Sequence, residues 1–322
     1  MEQTPQPRLR PMALADMLDT AFRLYRRHFL TFVGIVALLQ VPMAIVQFLA
    51  QMPYAQALQR MASRPLAPGP SPFDIFSFSQ IIAYYALIVL LSVVQYLVVY
   101  NLITGALANA IARSYLGQPI SIVAAYRIGA RRVLALIGAS LVPFVLFLLA
   151  FGLVAGCAFA AFWSTGLLDG RQPNAALTFV AALGLIGLVL LLMLGALLLY
   201  VRLLFTTQAI VIEGHGSLAG LRRSWRLVGL SFWRSVGMVL LVYVFVWLIS
   251  TVVQLPMVAL AAAAAFAFDN LALSQGLNLL ATYAVLILVL PLQFIIFTLL
   301  YYDVRMRKEG YDLELIAQQA GP

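Results

Sequence analysis

Residues 175–201 read AALTFVAALGLIGLVLLLMLGALLLYV, a run without a single charged residue. A helix rises about 1.5 Å per residue, so roughly 20 apolar residues cross the hydrocarbon core of a bilayer. This run exceeds that requirement, and it lacks the polar face with which a water-soluble helix meets solvent. Lipid is therefore its solvent. Five similar blocks flank it: Phe29 to Gln51, Gln80 to Ala112, Val133 to Trp163, Phe232 to Phe268 and Gly276 to Tyr302. Over the 322 residues, 64% are hydrophobic and only 10% charged, with a mean hydropathy of +1.00, where a soluble domain carries about a quarter charged residues. So little polar sequence cannot coat six such helices in water. The expected fold is all-α, a polytopic transmembrane bundle of six spans forming one domain over residues 1–322. Several blocks are longer than a tilted span needs and should kink or project beyond the membrane.

Basic residues set the expected orientation, because Lys and Arg near span ends are retained on the cytoplasmic side. Arg8, Arg10, Arg23, Arg26, Arg27, Arg113, Arg127, Arg131, Arg132, Arg202, Arg222, Arg223, Arg226, Arg234, Arg305, Arg307 and Lys308 fall in the terminal segments and the connections after even-numbered spans. Only Arg60, Arg64 and Arg171 lie on the other side, a division of 17 to 3 among the 20 basic residues. Both termini are thus expected in the cytoplasm, with the chain multi-pass in a bacterial inner membrane. The net charge of +9 then belongs to one face, where anionic headgroups attract each base by about 1 kcal/mol. Membrane lipid, rather than nucleic acid, is the expected partner of that face. Opposite it, residues 52–79 form a Pro-rich loop, and short links pass through DGRQPN at 169–174 and Asp269-Asn270. Pro and Gly at that density leave no room for a folded domain. The polar N-terminal segment is expected to remain uncleaved, since the first apolar run is too long for a signal h-region.

Three segments of the basic face look alike. Gly117, Gly214 and Gly310 stand 97 and 96 residues apart, and Ser121 and Ser217 follow the first two as expected helix N-caps. After them come IVAAYRIGARR at 122–132 and LAGLRRSWRLV at 218–228; before the first span stands LADMLDTAFRLYRR at 14–27. Each mixes apolar and basic positions and precedes a span with an internal proline, Pro42, Pro143 and Pro256, which removes a helix hydrogen bond. Three units of interfacial amphipathic helix plus two-helix hairpin are expected. The first of these helices, within an N-terminal segment of residues 1–28, places Asp16 and Asp19 early and Arg23, Arg26 and Arg27 late, as the helix dipole prefers. Asp19 is set to pair with Arg23 at i, i+4. Such a helix belongs in the headgroup layer, with Tyr25, Tyr126, Trp225 and Trp233 as aromatic belt.

Reactive side chains are few. No catalytic residue, cofactor site or metal site is expected: His28 and His215 are isolated in sequence, Cys157 sits in an apolar run, and no phosphate loop or nucleophile elbow occurs. Polar residues at depth are expensive and often functional. Those near or within spans are Gln40, Gln47, Gln95, Asn101, Asn109, Arg113, Arg202, Gln208, Glu213, Gln254, Gln293 and Asp303. Arg113, Arg202, Glu213 and Asp303 are the candidate buried polar cluster. Arg23, Arg26, Arg27, Arg127, Arg131, Arg132, Arg222, Arg223 and Arg226 are the candidate contacts to a partner or to lipid headgroups.

The stretch LLYYDVRMRKEGYDLEL at 299–315 resembles the bacterial family named after the membrane domain of glycerophosphoryl diester phosphodiesterase. LDTAFRLYRRHF at 18–29, SYLGQPIS at 114–121 and IEGHGSLAGLRRSWRLV at 212–228 support the likeness. The resemblance implies a polytopic helical domain, sometimes fused to a phosphodiesterase barrel, whose own role is generally unassigned. The barrel's histidines, carboxylates and strand-helix alternation are not found in this chain. The leading expectation is a non-enzymatic scaffold or anchoring subunit, acting through the basic helices and the tail, residues 303–322. A transporter or lipid-handling protein is the alternative, and a headgroup enzyme using Glu213, His215 and Asp303 stands third. A protein partner or homo-oligomer is compatible with the small residues along 259–267 and 184–195.

Overall fold

The computed structural model describes residues 14–62, 78–164, 175–229, 232–268 and 271–309. Its helices, in chain order, are α1 (Leu14–Arg27), α2 (Phe29–Ala62), α3 (Phe78–Val94), a π-helical turn (Gln95–Tyr100), α4 (Asn101–Tyr115), α5 (Ile122–Arg131) and α6 (Val133–Ser164). Then follow α7 (Ala175–Arg202), α8 (Thr206–Val211), α9 (Ser217–Gly229), α10 (Phe232–Phe268) and α11 (Leu271–Glu309). Six segments are long and apolar enough to cross a membrane: Phe29–Tyr54, Ile82–Tyr115, Val133–Ser164, Ala175–Val211, Phe232–Ala267 and Leu273–Arg307. The all-α, six-span expectation is met. One boundary differs: α2 runs on to Ala62 with Pro53 inside it, so residues 52–62 are helix rather than loop. Proline removes one helix bond, and the sequence around it, rich in Ala, Gln, Leu and Met, favours helix enough to continue. The rest of the Pro-rich loop, Gly310 and most of the tail lie outside the described residues.

The last helix is the post of the bundle. In its most apolar window 72% of residues are buried, against 28% or fewer in the other five spans. It packs against α1, α2, α4 and α10. From Leu290 to Leu300 only Gln293 escapes full burial, as expected of a helix apolar on all sides.

The order of short helix, span, span recurs three times, and each short helix docks on the unit before it. α5 lies on α4 and α2 of the first unit, α9 on α6, α7 and α8 of the second, and α1 closes the cycle on α11 of the third. Two tyrosines fasten this arrangement. Tyr25 on α1 donates its hydroxyl to Leu288 O on α11 at 2.8 Å, and Tyr126 on α5 donates to Ile35 O on α2 at 2.5 Å. Trp225 takes the corresponding place on α9, with Arg202 at the end of α7 stacked on its ring 5.0 Å from the centroid. Near the start of the first span of units one and two, a glycine makes room for the incoming helix. A Cβ on Gly34 would stand 2.8 Å from Ile122 Cδ1, and one on Gly138 would stand 2.6 Å from Ser217 Oγ. α1 packs by Met17, Ala21, Phe22 and Tyr25 onto the bundle core, and Asp16, Asp19, Arg23, Arg26 and Arg27 are left outward.

Helix ends follow local chemistry. Gly117, at φ 73°, ends α4, with Gln118 N–H donating to Arg113 O and Gly117 N–H to Ser114 O. That pattern is a Schellman motif, which a left-handed glycine makes cheap. Ser121 caps α5 by accepting from Ala124 N–H at 3.2 Å. Ser217 does not cap α9: the helix begins with it, and Gly216 O accepts the first bond. Its hydroxyl lies instead in the notch at Gly138.

Candidate functional site: a cavity beside the central helix

At the basic end of the bundle, Glu213 lies just beyond α8. Arg223 holds it by two nitrogens, Nε at 2.8 Å and Nη2 at 3.0 Å from the carboxylate oxygens. Tyr301 donates its hydroxyl to the same group, Arg305 approaches to 3.4 Å and His215 to 2.9 Å. Arg223 also grips Glu309 at 2.5 Å. Burial opposes charge on Glu213, yet the hydrogen bonds from Arg223 and Tyr301 and the field of Arg305 outweigh it and hold the carboxyl below its ordinary range. Hydrogen bonding from Arg223 lowers Glu309 likewise. Asp303, fully buried on α11, forms a separate cluster with Arg234 at 2.9 Å and Arg307 at 3.1 Å.

The four residues of the expected buried cluster are thus not brought together. Arg113 bonds Gln118 Oε1 at 3.2 Å, and Arg202 stacks on Trp225 and Phe232. Glu213 and Asp303 take other arginines. Of the candidate contact residues, Arg223 is committed to this network, Arg23 pairs with Asp19 at 3.2 Å, and Arg132 donates to Gly214 O. Arg26, Arg27, Arg127, Arg131, Arg222 and Arg226 are exposed and enter no ion pair among the described residues. No group of three His, Cys, Asp or Glu suited to a metal occurs among those residues.

A cavity lies elsewhere, beside the α6–α7 hairpin. The α6–α7 hairpin has its main contacts with α4, the π-helical turn, α8, α9 and α10, and 11% of the apolar window of α6 and none of that of α7 is buried. Near its basic end it is fastened by a small core of Leu136, Ala139, Ala108, Ile210 and Val211. Beyond that fastening a partly open cavity of about 840 Å³ lies between the hairpin and Phe294 and Phe297 on α11, bordered by the π-helical turn, on which α6 rests through the stacked rings of Phe144 and Tyr96. On α6 it is lined by one stripe at steps of three and four, including Leu136, Ala139, Pro143, Phe147, Ala150 and Val154. From Leu136 to Val154 the helix rises about 27 Å, nearly the depth of the hydrocarbon.

The wall is graded. Deep in the stripe, from Pro143 to Val154, every α6 residue is apolar. Toward the basic end stand Asn101, Ser140, Thr206, Thr207 and Gln208. Asn101 Nδ2 donates to Ser140 Oγ at 2.9 Å and to Leu97 O at 3.0 Å, a carbonyl of the π-helical turn. Such turns are often found at functional sites. Sequence alone does not locate this turn, since no residue type encodes it. Gln208 is 1% exposed, and its Oε1 has no hydrogen-bond partner; neither does Thr206 Oγ1. All 28 lining residues are uncharged.

Six spans, a basic end and a graded cavity between helices define an integral, multi-pass α-helical membrane protein. Residues 12–303 match the model of a family described as a domain of unknown function, DUF7847, and the chain belongs to that family. No curated protein and no solved structure matches.

Proposed function

We propose that this protein handles lipid, taking an acyl or isoprenoid chain between the α6–α7 hairpin and the central helix. The observation that carries the reading is the cavity of about 840 Å³, apolar at depth and polar toward the basic end. Its size falls in the range of small-molecule sites, and its grading matches an amphiphile lying along the membrane normal. The basic end faces the cytoplasm of an inner-membrane protein in this reading, by the 17 to 3 division of basic residues. There the exposed Arg127, Arg131, Arg222 and Arg226 attract anionic headgroups and hold the cavity mouth at the interface.

Gly195 provides the test. It lines the cavity, and a Cβ built there meets nothing within 4 Å, so the backbone leaves room for a side chain to start there and Gly195→Phe is the variant chosen to occupy the space. Native mass spectrometry of protein released from nanodiscs should show a stoichiometric lipid adduct on the wild type that the variant loses. A wild type free of lipid contradicts the proposal.

A scaffold role is the second reading, favoured by six exposed arginines outside ion pairs among the described residues. Charge reversal at Arg222 and Arg226 should then release a protein partner while the chain stays inserted. Unchanged association would count against it.

A further inference from the structure

We infer that the cavity selects an uncharged lipid that bears a free hydroxyl, such as a diacylglycerol or a long-chain isoprenoid alcohol. The inference rests on the lipid-handling reading and adds the headgroup chemistry.

Among the described residues no Lys, Arg or His lines the cavity. A phosphodiester brought against Gln208 would give up its hydration with no cation to replace it, a large cost at low dielectric. Two basic residues close by are engaged elsewhere, Arg202 on Trp225 and Phe232 and Arg223 with Glu213 and Glu309, while Arg127, Arg131, Arg222 and Arg226 are exposed and do not line the cavity. An anionic headgroup drawn in to Gln208 therefore leaves the exposed arginines outside and meets no counterion within the cavity.

A hydroxyl has the complementary chemistry. Gln208 Oε1 and Thr206 Oγ1 are buried and lack partners, whereas buried polar groups in folded proteins are nearly always satisfied. A hydroxyl donates one hydrogen bond and accepts others. It thus satisfies Gln208 whichever way the amide is turned, together with the Thr206 hydroxyl. Both residues stand on the short helix at the basic end, where a chain descending along the Pro143 to Val154 stripe would leave its head.

The experiment uses the full chain in phosphatidylcholine nanodiscs carrying a trace of photoactivatable diacylglycerol. Labelled peptides are mapped, and unlabelled diacylglycerol, a long-chain isoprenoid alcohol and phosphatidylglycerol serve as competitors. Saturable labelling of α6 or α7 that either alcohol displaces at least tenfold better than phosphatidylglycerol supports the inference; the better competitor identifies the source of the hydroxyl. Gln208→Leu should weaken diacylglycerol about fivefold, the worth of one hydrogen bond, and leave phosphatidylglycerol unchanged. Gly195→Phe should weaken every lipid. Equal competition by phosphatidylglycerol, or an unchanged preference in a folded Gln208→Leu protein, overturns the hydroxyl inference and leaves lipid handling standing. Absence of saturable labelling by any lipid overturns both.

Discussion

Arg223 and Arg222 are neighbours with opposite structural weight. Arg223 is 11% exposed and bridges Glu213 and Glu309, while Arg222 points outward. Removing one partner of a buried ion pair leaves the other charge uncompensated, at a cost of about 3 kcal/mol. Arg223→Ala should lower thermal stability in detergent by that order, and Arg222→Ala by less than about 0.5 kcal/mol. Equal effects of the two substitutions would contradict the network. The carboxyls also impose a pH dependence. Glu213 and Glu309 titrate lower in the folded chain than their ordinary value of 4.5. Their stabilisation is therefore complete above that value and is lost as pH falls through the depressed folded range. The unfolding midpoint should drop as pH falls below about 4.5, and Glu213→Gln should flatten the drop. At this scale the sequence was only half legible. Charge and hydropathy mark Glu213 and Asp303 as exceptional, but which arginine each acid meets depends on helix docking. Asp19 with Arg23, four residues apart on one helix, needed no such information.

Helix docking turns on glycines more than on the amphipathic faces. Where α5 crosses α4, a Cβ on Gly129 would stand 2.9 Å from Ala106 N and 3.1 Å from Gly105 C. Backbone atoms in a helix cannot step aside cheaply. Gly129→Ala should thus cost about 1–3 kcal/mol as an overpacked contact, even though alanine is the better helix former. A stability unchanged or raised in thermal melts would show that the two helices do not meet so closely. Hydrophobic block lengths made the six spans plain, and the even spacing of Gly117 and Gly214 marked the repeating order of elements. What periodicity could not supply was where each short helix lies. The aromatic-arginine pairs at Tyr25-Arg26, Tyr126-Arg127 and Trp225-Arg226 recur 101 and 99 residues apart. They were legible as belt residues, yet two of the three aromatics donate to carbonyls of the preceding unit. The π-helical turn at Gln95–Tyr100 left no mark in composition at all.

Over the whole molecule, burial is unequal: the third unit supplies the buried post, and the second supplies a hairpin fastened mainly at its basic end. Composition assigns α6, α7 and α11 to the same class, because all three are long and apolar. Only packing distinguishes the helix that fills the core from the two that leave a cavity beside it. A cryo-EM map of the protein in lipid nanodiscs, bound to a rigid antibody fragment, tests that asymmetry. The expected map shows the α6–α7 hairpin standing off α11, with elongated density running from Val154 toward Gln208. A hairpin packed flush against α11, with no space between Phe147 and Phe294, would contradict it.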